Sequence, residues 1–323
     1  MPGRVPGGGN NAFGRTGSSA VHPLTETGKR AVAAGRATVG ATRAEALELA
    51  RNLAGTARSD PRGALAEFRE ALVQKWERVG PRASYTVTAE WERALHEWFG
   101  LPWPCPDAGH AAAIYTDVVA TMRSQGMSLG PDAFVGWCDG DPALARAVYC
   151  VTTHLGAARV VETGVGRGIT TRMVLEAQTP IPGSRLWSIE LPPHLRPHMN
   201  DQLAAAVTSD LRARWEFILG SSRRRLPSLL VQLGDIDVFV HDSRHTTRNV
   251  TFEITLAWSR LVPGGVLLVD DVDLNSGVPA FLRTAGAHDV LFARSEVDNP
   301  ARQGLFALIR KRIDTPGDPS DEG

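Results

Sequence analysis

The run Val160-Val161-Glu162-Thr163-Gly164-Val165-Gly166-Arg167-Gly168 constrains this chain more than any other stretch. Two β-branched residues ahead of an acid read as the end of a buried strand. The three glycines that follow permit a sharp bend and a close approach of backbone to a ligand, where side chains would collide. Ile169 to Ala177 then has helical spacing. Strand, glycine turn and helix in that order are the framework of a nucleotide-type cofactor site, with a plain tight turn as the simpler alternative. The third glycine comes one residue earlier than in a dinucleotide fingerprint, with Ile169 in its place. No Gly-Lys-Ser/Thr follows, which argues against a P-loop.

Further along, Arg185-Leu-Trp-Ser-Ile-Glu190 repeats the pattern of a short apolar strand ending in an acid. A carboxylate at the tip of a second strand can accept hydrogen bonds from vicinal ribose hydroxyls, so Glu190 is the ribose candidate. Its alternative is a solvated acid ahead of the turn Leu191-Pro192-Pro193. Ile236 to Val240 forms a fourth β-rich run that ends in His241, Asp242, Ser243, Arg244 and His245. The stretch from Leu261 to Asp271 reads as helix end, a Pro263-Gly264-Gly265 turn and a fifth strand closing on Asp270 and Asp271. Both strands thus deliver carboxylates at their C-terminal ends, the edge where open α/β sheets bind ligands. In the alternative reading, Asp242 or Asp271 caps the following helix and His245 sits in its first turn.

These segments, covering roughly Asp141 to Lys311, resemble the class I S-adenosylmethionine-dependent methyltransferases. The resemblance implies a doubly wound, Rossmann-like α/β sheet of seven strands whose last strand is antiparallel. The apolar runs Asp289 to Arg294 and Gly304 to Arg310 supply its closing hairpin, around a polar turn at Asp298 to Gln303. It also implies S-adenosylmethionine held by Glu162, Thr163, Gly164, Gly166, Gly168 and Glu190, with Asp242 on the cofactor side and Ser221 near the adenine amino group. Within the class, the chain is most similar to the metal-dependent O-methyltransferases, of the catechol type and the macrolide-sugar type. Their magnesium ligands match Asp242, Asp270 and Asp271, and their Asp-x-x-His matches Asp242-Ser-Arg-His245, which makes His245 the candidate general base. The residues around that histidine, Ser243, Arg244, Thr246 and Thr247, depart from the small glycine and aromatic usual there.

The chemistry explains why these residue types belong together. Three converging carboxylates repel one another unless a cation neutralises them, and hard oxygens suit magnesium. A magnesium-bound hydroxyl is more acidic, and an imidazole can take its proton as the oxygen attacks a sulfonium methyl in line.

Composition and periodicity mark a mildly basic, disordered arm over 1–40, a helical accessory region over 41–130 and a disordered tail over 313–323, and the resemblance implies a methyltransferase domain over 131–312. In the accessory region Ala46, Leu49, Ala50 and Leu53, then Leu65, Phe68, Leu72 and Trp76, mark two amphipathic stretches, the second opened by Asp60-Pro61. Trp91, Leu95, Trp98 and Phe99 mark a third, ahead of the breaker at Leu101 to Pro106. The region serves as a lid over the cofactor edge or as a subunit interface, giving a homo-oligomer. Trp98 and Trp103 either pack or line a substrate pocket. Arg223-Arg224-Arg225 either reaches an acidic substrate or is a solvated helix face.

Lysine plus arginine and aspartate plus glutamate both number 35, which excludes a global attraction to nucleic acid or membrane surfaces. No signal-peptide or transmembrane run is visible, and a cytoplasmic enzyme is expected. Three cysteines without paired spacing, Cys105, Cys138 and Cys150, indicate neither a disulfide framework nor zinc. The expected activity is magnesium-assisted O-methylation of a hydroxyl on a small metabolite or natural-product sugar. Two alternatives stand beside it: a metal-independent methyltransferase or NAD-type oxidoreductase, and a catalytically silent, cofactor-binding partner protein.

Overall fold

Along β1 (Arg159–Thr163) and its neighbours, successive side chains go to opposite faces of one sheet. Val160, Val238, Val240, Val266 and Leu268 enter one core, while Val161, Phe239, Leu267 and Val269 enter another. A sheet buried on both faces needs helices on both, and that is why these strands are nearly continuous apolar runs. The computed structural model describes residues 83–313, apart from 131–132, 134–138, 193–196, 287 and 298–303, together with a few residues between 65 and 77. The expectations for the arm, the first amphipathic stretch, Asp60-Pro61, Phe68, Cys138, the turn at 298–303 and the tail beyond Ile313 lie outside the described residues.

The strands are β1, β2 (Arg185–Glu190), β3 (Trp215–Leu219), β4 (Ile236–His241), β5 (Leu261–Val269), β6 (His288–Arg294) and β7 (Leu305–Lys311). They form a seven-stranded sheet in the order β3-β2-β1-β4-β5-β7-β6. β1 to β5 are mutually parallel, and β7 runs antiparallel to both β5 and β6. The expected fold is therefore the observed one, closing hairpin included. Strand order reverses between β1 and β4, which opens the ligand crevice of a doubly wound sheet beyond their C-terminal ends.

Helices α1 (Trp91–Phe99), α2 (Ala108–Ser124), α3 (Pro142–Leu155) and α4 (Ile169–Ala177) supply the first core. Helices α5 (Ser222–Leu233), α6 (Thr247–Trp258) and α7 (Gly277–Leu282) supply the second. Trp91 and Leu95 of the third amphipathic stretch are buried, as are Val118 and Met122 of α2, in the same core as Val160 of β1. Local chemistry fixes the ends of α3: the Asp141 side chain accepts from the Ala143 amide at 2.9 Å, Pro142 opens the helix, and Gly156 closes it in the left-handed conformation.

One local expectation fails. Pro263-Gly264-Gly265, read as a turn ahead of the fifth strand, lies inside β5. The strand absorbs it through a register irregularity opposite Ile236 and Val238, and Gly264 sits at φ +85°. A β-carbon on Gly265 would come within 2.7 Å of the Asp237 carbonyl, so glycine is required for the two backbones to pair there.

Candidate active site

The glycine turn leaves β1 at Gly164, whose φ is +87°. A β-carbon on Gly164 would overlap the Asp242 carbonyl and lie 2.7 Å from the Ser243 nitrogen. The turn and the end of β4 are therefore in backbone contact, which no residue but glycine allows. Gly168, at φ +84°, opens α4 and packs against Ala204 and Val207. Ala204 also donates its amide to the Gly166 carbonyl at 2.9 Å, pinning the turn from outside.

The Glu190 carboxylate reaches back into this turn and accepts from the Val165 and Gly166 amides at 2.6 and 2.9 Å. Burial raises its pKa even against these bonds. Glu190 thus holds the loop as well as standing at the tip of β2, where a ribose would lie. Glu162 lies deeper, fully buried, and accepts from the hydroxyls of Thr170, Thr171 and Ser188 at 2.7–2.9 Å. Burial pushes its pKa up to about 7. Its role is to tie β1, β2 and α4 together beneath the turn, rather than to face a ligand. Thr163 is likewise buried, donating to Glu253 at 2.6 Å.

Ser221 follows β3 at the same edge of the sheet, beside Gly220, whose amide bonds the Glu190 carbonyl at 2.8 Å. Its hydroxyl makes no capping bond to α5. Arg224 and Arg225 are exposed and Arg223 lies over the Phe252 ring, so the arginine run is a solvated helix face. Trp98 packs against Arg310 and Trp103 against His96.

Beyond β4 and β5 the structure brings Asp242, His245 and Asp270 together, with one ligand atom from each lying within 4.8 Å of the others. Asp271 borders this group. Its Oδ2 lies 3.6 Å from the His245 Nε2, while the Asp242 Oδ1 lies 3.9 Å from the same nitrogen. Asp271 is held at φ +50°, a strained backbone for a residue with a side chain. Burial, then the Asp271 and Glu162 carboxylates, push the Asp242 pKa well above the usual aspartate range. Two hard oxygens and an imidazole at this spacing, with a carboxylate that resists carrying its charge alone, fit a divalent cation.

Asp271 stands at the N-cap of the short 3-10 turn Val272–Leu274 without a side-chain cap bond, and for Asp242 and His245 the capping alternative does not hold. Thr246, not Asp242, caps α6, accepting the Asn249 amide at 3.3 Å, and His245 precedes that cap. What supports this loop has no direct sign in the sequence. Glu253, fully buried on α6, accepts from Thr163, His241, Ser243 and Asn249 at 2.6–2.9 Å. Burial acts to raise its pKa, but His241 and the donated bonds outweigh it and hold the group ionised. A glutamate flanked by the core residues Val250 and Ile254 on one helix face was the available signal.

The family profile described as "Methyltransferase domain" matches residues 161–272, from β1 through the second carboxylate strand. The matched part of the chain is similar to a methyltransferase domain. No curated protein sequence matches it significantly. Several solved structures are similar to it at low identity. An O-methyltransferase from Bacillus cereus in complex with SAH is 13% identical, over 68% of this chain and 97% of that one, with a TM-score of 0.46. The O-methyltransferase TomG from Streptomyces achromogenes, involved in tomaymycin synthesis and in complex with SAM, is 16% identical, over 70% and 100%, with a TM-score of 0.45. The SAH-bound methyltransferase PaMTH1 from Podospora anserina is 15% identical, over 72% and 100%, at 0.43. Among the described residues, no helix is long and apolar enough to cross a membrane.

Proposed function

We propose that this chain is an S-adenosylmethionine-dependent O-methyltransferase that binds magnesium and acts on a hydroxyl of a small metabolite, such as a natural-product sugar. The observation that carries this reading is the contact between Gly164 and the Asp242 carbonyl. It sets a nucleotide-type glycine turn directly beside the Asp242, His245 and Asp270 group.

Asp242 and Asp270 would hold the cation, because magnesium prefers carboxylate oxygen to imidazole nitrogen. When bound, magnesium makes a coordinated hydroxyl more acidic, and S-adenosylmethionine provides an electrophilic methyl group. His245 is the residue placed to take the hydroxyl proton. The Asp271 and Asp242 carboxylates beside its Nε2 would orient the ring and stabilise the imidazolium it becomes. Gly164, Gly166 and Gly168 give close backbone access to the cofactor, and Glu190 faces its ribose. Ser221 borders the adenine.

Glu77, in the second amphipathic stretch, accepts the Thr247 amide at 2.8 Å, two residues from His245. That supports the accessory region as a border of the acceptor's entry. Leu72, Val73 and Trp76 of the same stretch are exposed and offer an apolar face for association of two copies.

Methyl transfer from labelled S-adenosylmethionine to a panel of hydroxylated acceptors, with magnesium or with chelator, tests the proposal. Turnover that needs magnesium and is lost in Asp270→Asn is the expected result. Turnover indifferent to chelator and to Asp270→Asn would leave a metal-independent methyltransferase. Cofactor binding without turnover on any acceptor would favour the silent partner protein.

A further inference from the structure

At the opposite edge of the sheet, three side chains from distant parts of the chain meet. His96 comes from α1, Cys105 from the segment between α1 and α2, and His154 from the last turn of α3. The two histidine Nε2 atoms are 3.1 Å apart, and the Cys105 Sγ is 3.5 Å from the His154 Nε2. Only residues 155–158 separate His154 from the start of β1, whereas the glycine turn lies where β1 ends. The cluster is therefore separate from the methyltransferase site.

The His96 Nδ1 is 2.6 Å from the Glu92 carbonyl oxygen. A carbonyl can only accept, so Nδ1 carries a proton and Nε2 is the nitrogen that faces the cluster. Metal-bound histidines are commonly oriented this way by a second-shell carbonyl. His96 is fully buried, and Cys105 nearly so. The Trp103 ring, edge-on at 5.1 Å between centroids, covers His96.

We propose that His96, Cys105 and His154 form a zinc site that fastens α1 and the following segment to α3. The distances are compatible with the metal. Tetrahedral zinc, with bonds of about 2.0 Å to nitrogen and about 2.3 Å to sulfur, sets nitrogen–nitrogen and nitrogen–sulfur edges of about 3.3 and 3.5 Å. The observed separations are 3.1 and 3.5 Å. One thiolate and two imidazoles also form a donor set suited to zinc and poorly suited to magnesium. Binding forms the zinc–sulfur bond as the Cys105 thiol releases its proton to solvent, so affinity rises with pH. The fourth position is left for water or for Cys150, whose buried thiol adjoins Cys105.

The test is cobalt titration of the metal-free full chain, followed by displacement with zinc. The expected result is a thiolate-to-cobalt charge-transfer band that saturates at about one equivalent and is bleached by zinc. It should vanish in Cys105→Ser, weaken strongly in His154→Gln and persist in Asp270→Asn, since carboxylates give no such band. Where Cys105→Ser fails to fold, zinc protection of Cys105 from alkylation in the wild-type chain, read by peptide mass spectrometry, replaces it. No charge-transfer band in the wild type, a band retained in Cys105→Ser, or alkylation of Cys105 unaffected by zinc would overturn the proposal and leave a plain hydrogen-bonded histidine pair.

Discussion

Replacing Glu162 by glutamine should change how the stability of this protein depends on pH. Glu162 is fully buried, and burial lifts its pKa from 4.5 to about 7. A carboxyl whose folded pKa is raised binds its proton more tightly in the native state. Its contribution to stability is therefore fully present below pH 4.5 and is lost as pH rises through about 7. At about 1.4 kcal/mol per unit, the loss across that window is on the order of 3 kcal/mol. Glutamine has no such titration. Its amide can still be met by Thr170, Thr171 and Ser188, because hydroxyls both donate and accept. Urea denaturation of both proteins from pH 5 to pH 8 isolates the effect, since other titrating groups are common to the two. The stability of Glu162→Gln relative to wild type should climb with pH by most of that amount. Parallel stability curves would refute the reasoning, because Glu162 would then carry its charge in the folded protein at little cost.

Gly164→Ala should abolish S-adenosylhomocysteine binding while circular dichroism still reports a folded chain, because the β-carbon would overlap the Asp242 carbonyl and force the turn away from β4. In calorimetry, wild-type affinity for that variant would contradict the turn's assignment. His245→Gln should lower kcat by roughly 100- to 10,000-fold with KM nearly unchanged, the range expected for loss of a general base. A large rise in KM at constant kcat would instead make His245 a binding residue.

How legible the fold was in the sequence depends on the element. The strands β1, β2 and β4 were readable because each is largely buried on both faces and carries an acid in, at or just beyond its last residues. The start of β5 was misread, because Pro263-Gly264-Gly265 normally breaks a strand and only the partner register shows it tolerated as an irregularity. At the site, Asp242, Asp270 and His245 were identifiable from their position after apolar runs. The left-handed backbone at Asp271, whose carboxylate lies 3.6 Å from His245, was not. Glu162 and Glu190 were found as acids at strand ends, but their partners in the turn and in α4 depend on how the loop folds back. His96, Cys105 and His154 were invisible as a group: the outer two are 58 residues apart, and no local spacing announces them.

Calorimetric titration of the purified protein with S-adenosylhomocysteine, with NAD as the competing ligand, tests the central claim most directly. The account predicts micromolar binding of the homocysteine nucleoside that NAD does not disturb and Gly164→Ala removes. Binding of NAD in its place, or of neither, would contradict the methyl-donor reading of the glycine turn, and the roles given to Asp242, Asp270 and His245 would fall with it.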